Sequence, residues 1–247
     1  IGFGTQRVEE ELHELFPGTE VLRMDADTVS AGHEALLRQF EERRVPILLG
    51  TQMVAKGLDF ENVTLVGVLS ADLSLYVDNY RAAERTFNLL TQVVGRAGRG
   101  AKAGRAVIQT YTPENDVIRA AAAQDYERFY RSEVQLRRLR RDPPFADQFI
   151  VTVSGGEEND VRRAVGLLRD GLSAAVKKPP YADMGLEVIG PAPAPVVRIN
   201  GSYRYRLLLL GENSAQVRGL LSSFMRAFAQ RPENRRLHIR VDCDLMD

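Results

Sequence analysis

Residues 45–51, VPILLGT, set the first constraint. The run is apolar throughout, the pattern of a strand buried on both faces of a parallel sheet. Parallel neighbours need crossover connections, usually helices, and the flanking sequence supplies both. Val21, Leu22 and Met24 form a short strand, and TLVGVL (64–69) and AVIQTY (106–111) form two more. Val8, Leu12 and Leu15 recur at helical spacing within 5–15, and Leu36, Leu37 and Phe40 do so within about 32–43. A further helix is expected at about 80–93. Strand and helix alternate, so this half of the chain is expected to be a doubly wound α/β structure. Ligands of such sheets bind beyond the carboxyl ends of the strands.

Two stretches lie where such a ligand would sit. Strand 45–49 runs into GTQMVAKGLDF, Gly50 to Phe60. Thr51 and Gln52 put a hydroxyl and an amide at the strand's carboxyl end, where they can hold a phosphate. Asp59 can accept from a ribose hydroxyl or help hold arginines. Read alone, the segment is equally a strand-to-helix turn with a capping threonine. The second stretch is QVVGRAGRG, Gln92 to Gly100. Arg96 and Arg99 are three apart, one helical turn, so both guanidiniums can face the same way. A paired set of planar, always-charged forks suits a polyphosphate. In isolation it could equally be a surface turn with two solvated arginines.

The conjunction is more specific than its parts. GTQMVAKGLDF followed by ADLSLYVDNYRAAERTFNLLTQVVGRAGRG resembles motifs V and VI of superfamily-two helicases. More narrowly, the chain resembles the family of the replication-restart helicase PriA, or primosomal protein N′. GTQRVEEEL (4–12), VLRMDADT (21–28), IQTYTPENDVI (108–118), PPF (143–145), GPAPAP (190–195) and YRYRLLL extend the likeness over essentially the whole chain.

The resemblance implies roles. Gln92, Arg96 and Arg99 match the motif that reaches the ATP γ-phosphate. Gly57 and Asp59 match the segment that couples nucleotide state to the DNA track. Thr51 and Gln52 match positions on or behind the nucleic-acid backbone. Asp25 and Asp27 fall in the motif IV region, where a structural turn is at least as good a reading. The cofactors implied are ATP and Mg²⁺. The implied partners are forked and single-stranded DNA, the single-stranded-DNA-binding protein and the primosome proteins. Translocation from 3′ to 5′ is implied by the family alone. Leu58, Asp142 and the YVDN of 76–79 depart from the family's commoner residues without removing a phosphate-handling group. Neither a GxxxxGK[ST] loop nor a DExH-type motif occurs. The family's zinc-binding cysteines are expected upstream, with no zinc in this chain. The chain, which does not begin with Met, therefore reads as the second motor lobe plus the segments C-terminal to it, inert alone as an ATPase.

Composition is that of an ordinary soluble protein. It has 247 residues, 44% hydrophobic and 27% charged, and two domains are the natural expectation. No apolar run is long enough to cross a membrane. IGFGTQRVEEELHELF reads as a loop and an amphipathic helix rather than a signal peptide, and the cytoplasm is the expected location. Cys243, the only cysteine, permits no internal disulfide and is expected to be a small buried hydrophobe. His13, His33 and His238 are scattered and read as structural or surface residues. The net charge is zero, yet residues 197–240 carry nine arginines and two acids, a skew that favours a phosphate-bearing partner.

Residues 113–141 read as one long helical connector ending in RRLRR before Pro143. The arginines either track phosphates or complement the helix's negative end. Beyond Phe145 the period changes. QFIVTVSG (148–155), a helix at 157–176, LEVIG (186–190), a proline-rich loop, YRYRLLLLG (203–211), a helix at 214–229 and LHIRVDC (237–243) give βαββαβ. The helix 157–176 should bury Val161, Ala164, Val165, Leu168 and Leu172. The expected whole is an α/β chain. A RecA-like parallel-sheet helicase lobe (1–112) leads through a connector (113–145) to a ferredoxin-like α+β domain (146–247). Arg204 and Arg206 alternate with Tyr203 and Tyr205, a pattern suited to nucleic-acid backbone and stacked bases. The alternatives are a strand with one wet face, a partner-docking module, or a superfamily-two motor acting on RNA.

Overall fold

The structure, a computed structural model, describes residues 4–25, 33–51, 63–95 and 103–243. It divides into two compact units. One holds the residues up to Val77 and Arg81–Tyr130, and the other holds Asp78–Tyr80 and the residues from Arg131 on.

In the first unit α1 (Thr5–Leu15) leads to β1 (Val21–Met24), α2 (His33–Arg43) and β2 (Ile47–Gly50). β1 and β2 pair in parallel, Val21 opposite Ile47 through Met24 opposite Gly50. β3 (Leu65–Val68) and β4 (Arg105–Ile108) form a second parallel pair, with α3 (Asp72–Leu75) and α4 (Ala82–Val94) between them. The parallel α/β pattern is as expected, but among the described residues the pairs are two separate two-stranded sheets. Nor is the apolar run sealed: β2 is half-buried, and Leu65 and Val107 are exposed. Leu15, at helical spacing with Val8 and Leu12, lies exposed in the last turn of α1.

The expected connector is two helices. α5 (Asp116–Ala122) starts at Asn115, whose side chain accepts from the Val117 amide at 2.9 Å. It stops at Gln124, which has φ 54°; the Asp125 amide donates back to the Ala120 carbonyl and the Gln124 amide to that of Ala121. That pair of bonds is a Schellman ending, with Gln124 in the left-handed position glycine usually takes. Asp125 then caps α6 (Tyr126–Arg140) by accepting from the Arg128 amide at 2.9 Å. Phe129 stacks on Phe87 at 4.3 Å, so the start of α6 shares a core with α4 and α5.

In the second unit β5 (Asp147–Gly155), α7 (Glu158–Ala175), β6 (Glu187–Ile199), β7 (Ser202–Gly211), α8 (Ala215–Gln230) and β8 (Leu237–Cys243) build an antiparallel sheet in the order β6-β7-β5-β8. That is the ferredoxin-like order. Phe149, Val151, Val153, Leu207 and Leu209 project from one face onto Val161, Val165, Leu168 and Leu172 of α7 and Val217, Leu220 and Leu221 of α8. All five residues expected to line α7 are buried. Gly155 is required here, because a β-carbon would stand 2.4 Å from a Leu237 methyl.

The proline-rich loop is instead strand. β6 continues through Pro191, Pro193 and Pro195, with register shifts after Ile189 and Pro193, and turns at Asn200–Gly201. Both turn residues have positive φ, 48° and 82°, as a two-residue type I′ hairpin requires. Proline is tolerated because β6 is an edge strand whose outward amides have no partner to lose.

Candidate functional site

Parallel strands aim their carboxyl ends at one side, and Thr51 sits there, exposed, directly after β2. Gln52, Gly57, Asp59, Arg96 and Arg99 lie outside the described residues, as does Asp27. The helix that leads into the arginine pair is described. α4 buries Ala82, Thr86, Phe87 and Leu90, which fixes its rotation and leaves Gln92 exposed. The Thr86 hydroxyl is tied to Ser74 at 2.9 Å and to the Ala82 carbonyl at 2.8 Å. α4 ends at Gly95, whose amide donates to the Thr91 carbonyl at 2.9 Å. A β-carbon there would stand 3.2 Å from the Gln124 side-chain nitrogen and from the Thr91 carbonyl oxygen. The glycine before Arg96 thus admits the turn between α5 and α6 against the end of α4.

Sequence reasoning passed over Asp72. It is buried at the start of α3, just beyond the carboxyl end of β3. Its carboxylate accepts from the hydroxyls of Thr110 (2.8 Å) and Thr112 (2.7 Å) and from the Tyr111 amide (2.9 Å). Burial pushes its pKa up, but the bonds from Thr112, Tyr111 and Thr110 outweigh this and hold it below the ordinary value of 3.8. It ties the exit of β4 to the exit of β3. An acid followed at long range by a TYT triplet carries no local sign of this pairing. Asp25, by contrast, bears out its structural reading: buried, it accepts from the Thr5 hydroxyl at 2.5 Å and pairs with Arg23 at 3.3 Å.

Arg204 and Arg206 lie on the sheet face opposite the helices. Strand pairing sets Arg206 beside Thr152 and Thr152 beside Arg240, and in the next row Arg204 beside Ser154 and Ser154 beside His238. This face therefore carries three arginines across β7 and β8, Arg240 having been missed at the sequence level. The tyrosines do not join them. Alternation turns Tyr203 and Tyr205 to the helix side, where both pack against the core and the Tyr205 hydroxyl donates to Glu158 at 2.6 Å. The idea that they stack bases beside the arginines is corrected by that geometry. The Glu158 carboxylate and burial both raise the Tyr205 pKa. Arg206 forms an ion pair with Asp78, and Arg240 one with Asp242 at 2.8 Å.

The RRLRR cluster is largely structural. Arg137 pairs with Glu133 at 2.8 Å and lies over the Tyr80 ring, Arg138 lies over Phe145, and Arg141 donates to the Gly185 carbonyl at 2.8 Å. Cys243 is exposed, not buried: it is the last residue of the edge strand β8, and its Sγ accepts from Asn213 at 3.4 Å. Among the described residues no group of His, Cys, Asp or Glu could hold a metal ion, and no helix is long and apolar enough to cross a membrane.

Comparison with known proteins agrees with this layout. A family model described as "Helicase conserved C-terminal domain" matches residues 3–101, and one described as "Primosomal protein N C-terminal domain" matches 138–245. The chain is 44% identical over 244 residues to the replication restart protein PriA of Bacillus subtilis, covering 98% of this chain and 30% of that protein. It is 40% identical over 211 residues to the PriA of a Synechocystis species, 85% of this chain and 25% of that protein, and 34% identical over 245 residues to that of Rickettsia conorii, 98% and 36%. It thus spans about a third or less of the length of these relatives. With a match to the helicase C-terminal model followed by one to the primosomal protein N C-terminal model, the chain belongs to the PriA family of replication restart helicases, whose C-terminal part it matches.

Proposed function

We propose that the chain supplies the second motor lobe and the C-terminal DNA-binding domain of an ATP-dependent, superfamily-two DNA helicase. The helicase moves 3′ to 5′ in the cytoplasm, recognises stalled or branched replication forks and starts primosome assembly with the single-stranded-DNA-binding protein and primosome proteins. The observation that carries the reading is α4. Its buried face fixes the helix's rotation and leaves Gln92 on the exposed side, one turn before Gly95, where the helix ends and the GRAGR of the sequence begins.

ATP with Mg²⁺ supplies the phosphoryl group when bound. Gln92, Arg96 and Arg99 orient and stabilise charge on the γ-phosphate, Gly57 and Asp59 relay that state, and Thr51 and Gln52 hold the DNA backbone. An arginine in this role is worth roughly 10³–10⁵ in rate. The sequence contains no phosphate-binding loop, so the 247-residue chain alone has nothing for those arginines to act on.

DNA-stimulated ATP hydrolysis tests the reading. The isolated chain should be inert. The longer protein should be active and should lose at least about 10³ in kcat on Arg99→Ala. Hydrolysis by the isolated chain, or an unaffected Arg99→Ala protein, contradicts it.

A further inference from the structure

The segment Asp78–Tyr80 lies in sequence between α3 and α4 of the first unit, yet it belongs to the second. Its hold there includes an ion pair, 128 residues apart in sequence, between Asp78 and Arg206. The Asp78 carboxylate is 66% exposed and Arg206 only 20%, so the guanidinium is the fixed partner and the acid the one that can leave. Arg206 stands in the row Arg206–Thr152–Arg240, beside Arg204, on the sheet face opposite the helices. A carboxylate on a guanidinium has the charge and fork geometry of a phosphate on the same group.

We propose that Asp78 holds the place of a nucleic-acid phosphate on Arg206, so that strand binding across Arg204, Arg206 and Arg240 and docking of the 78–80 segment exclude one another. The proposal rests on the reading of this face as a DNA surface and adds its regulation. The released segment is joined through Arg81 to α4, the helix that ends at the arginine pair. Occupancy of the sheet face is thereby linked to the start of α4 through three residues of backbone, 79–81. By linkage, a competitor that occupies the site weakens the ligand by the strength of its own contact.

The test is anisotropy titration of a fluorescein-labelled single-stranded DNA oligonucleotide against the whole chain, wild type, Asp78→Asn, Arg206→Ala and the double variant, at low salt. Asp78 is exposed, so Asp78→Asn is expected to fold, and a matched melting curve checks it. Asp78→Asn should tighten binding roughly two- to five-fold, the range set by an exposed ion pair. In the Arg206→Ala background the same change should do nothing. Hydrogen exchange at 78–81 should quicken when DNA binds the wild type. Weaker binding by Arg206→Ala with no tightening by Asp78→Asn overturns the competition but leaves the DNA surface intact. Tightening that persists without Arg206 is a general charge effect and overturns it as well. Unchanged binding by Arg206→Ala removes the DNA reading of this arginine and the competition with it.

Discussion

The Thr112 hydroxyl donates to the Asp72 carboxylate across 2.7 Å, joining residues forty apart in sequence. With the bonds from Thr110 and the Tyr111 amide, this contact pins the chain leaving β4 to the start of α3. Asp72→Asn replaces an acceptor-only group by one with a misplaced donor. It should cost about 1–3 kcal/mol of stability at neutral pH, read by urea unfolding.

The same carboxylate has a pH signature. Its folded pKa lies below the ordinary 3.8, so its ionised form favours the native state. That contribution is complete above about pH 4–5 and fades as pH falls through the lower folded value. The wild type should lose its advantage over Asp72→Asn below pH 4 in unfolding curves. An advantage that stays constant down to pH 2 would mean that the charge contributes nothing.

Arg44 follows α2 with φ 52°, and the Val45 and Arg44 amides close back on Phe40 and Glu41. This is again a Schellman ending with a side chain where glycine is unstrained. Left-handed backbone costs an L-residue about 1–2 kcal/mol, and glycine's extra unfolded-state freedom returns about half of that. Arg44→Gly should therefore raise stability by about 0.5–1 kcal/mol. A melting temperature that falls would contradict the cap.

Gly155→Val should act in the opposite direction. A β-carbon 2.4 Å from a Leu237 methyl and 3.3 Å from Val161 forces β5, β8 and α7 apart. About 1–3 kcal/mol should be lost from the second unit. Thermal unfolding followed by near-ultraviolet dichroism reads it.

Side-chain period makes much of the fold legible. The α7 stripe from Val161 to Leu172 has a clean 3.6 repeat and a single core to face, so each buried residue can be named from the sequence. The strands of the second domain alternate, which gives their order but not their faces: alternation says that Arg204 and Tyr205 point apart, and only the position of α7 and α8 says which one is wet. The break at Gln124 has no sequence mark, since the left-handed position holds no glycine. The β6 hairpin does have a mark in Asn200–Gly201, but three prolines argue for a loop. Asp72 depends on pairing at a separation no local window spans.

DNA binding by the basic sheet face is measured most directly by anisotropy titration of labelled forked, single-stranded and duplex DNA at two salt concentrations, with the wild-type chain and Arg204→Ala/Arg206→Ala. The prediction is salt-sensitive binding that prefers the fork, with weaker affinity and a flatter salt slope in the double variant. Weak binding to every substrate, or a double variant that matches the wild type at both salts, would contradict it.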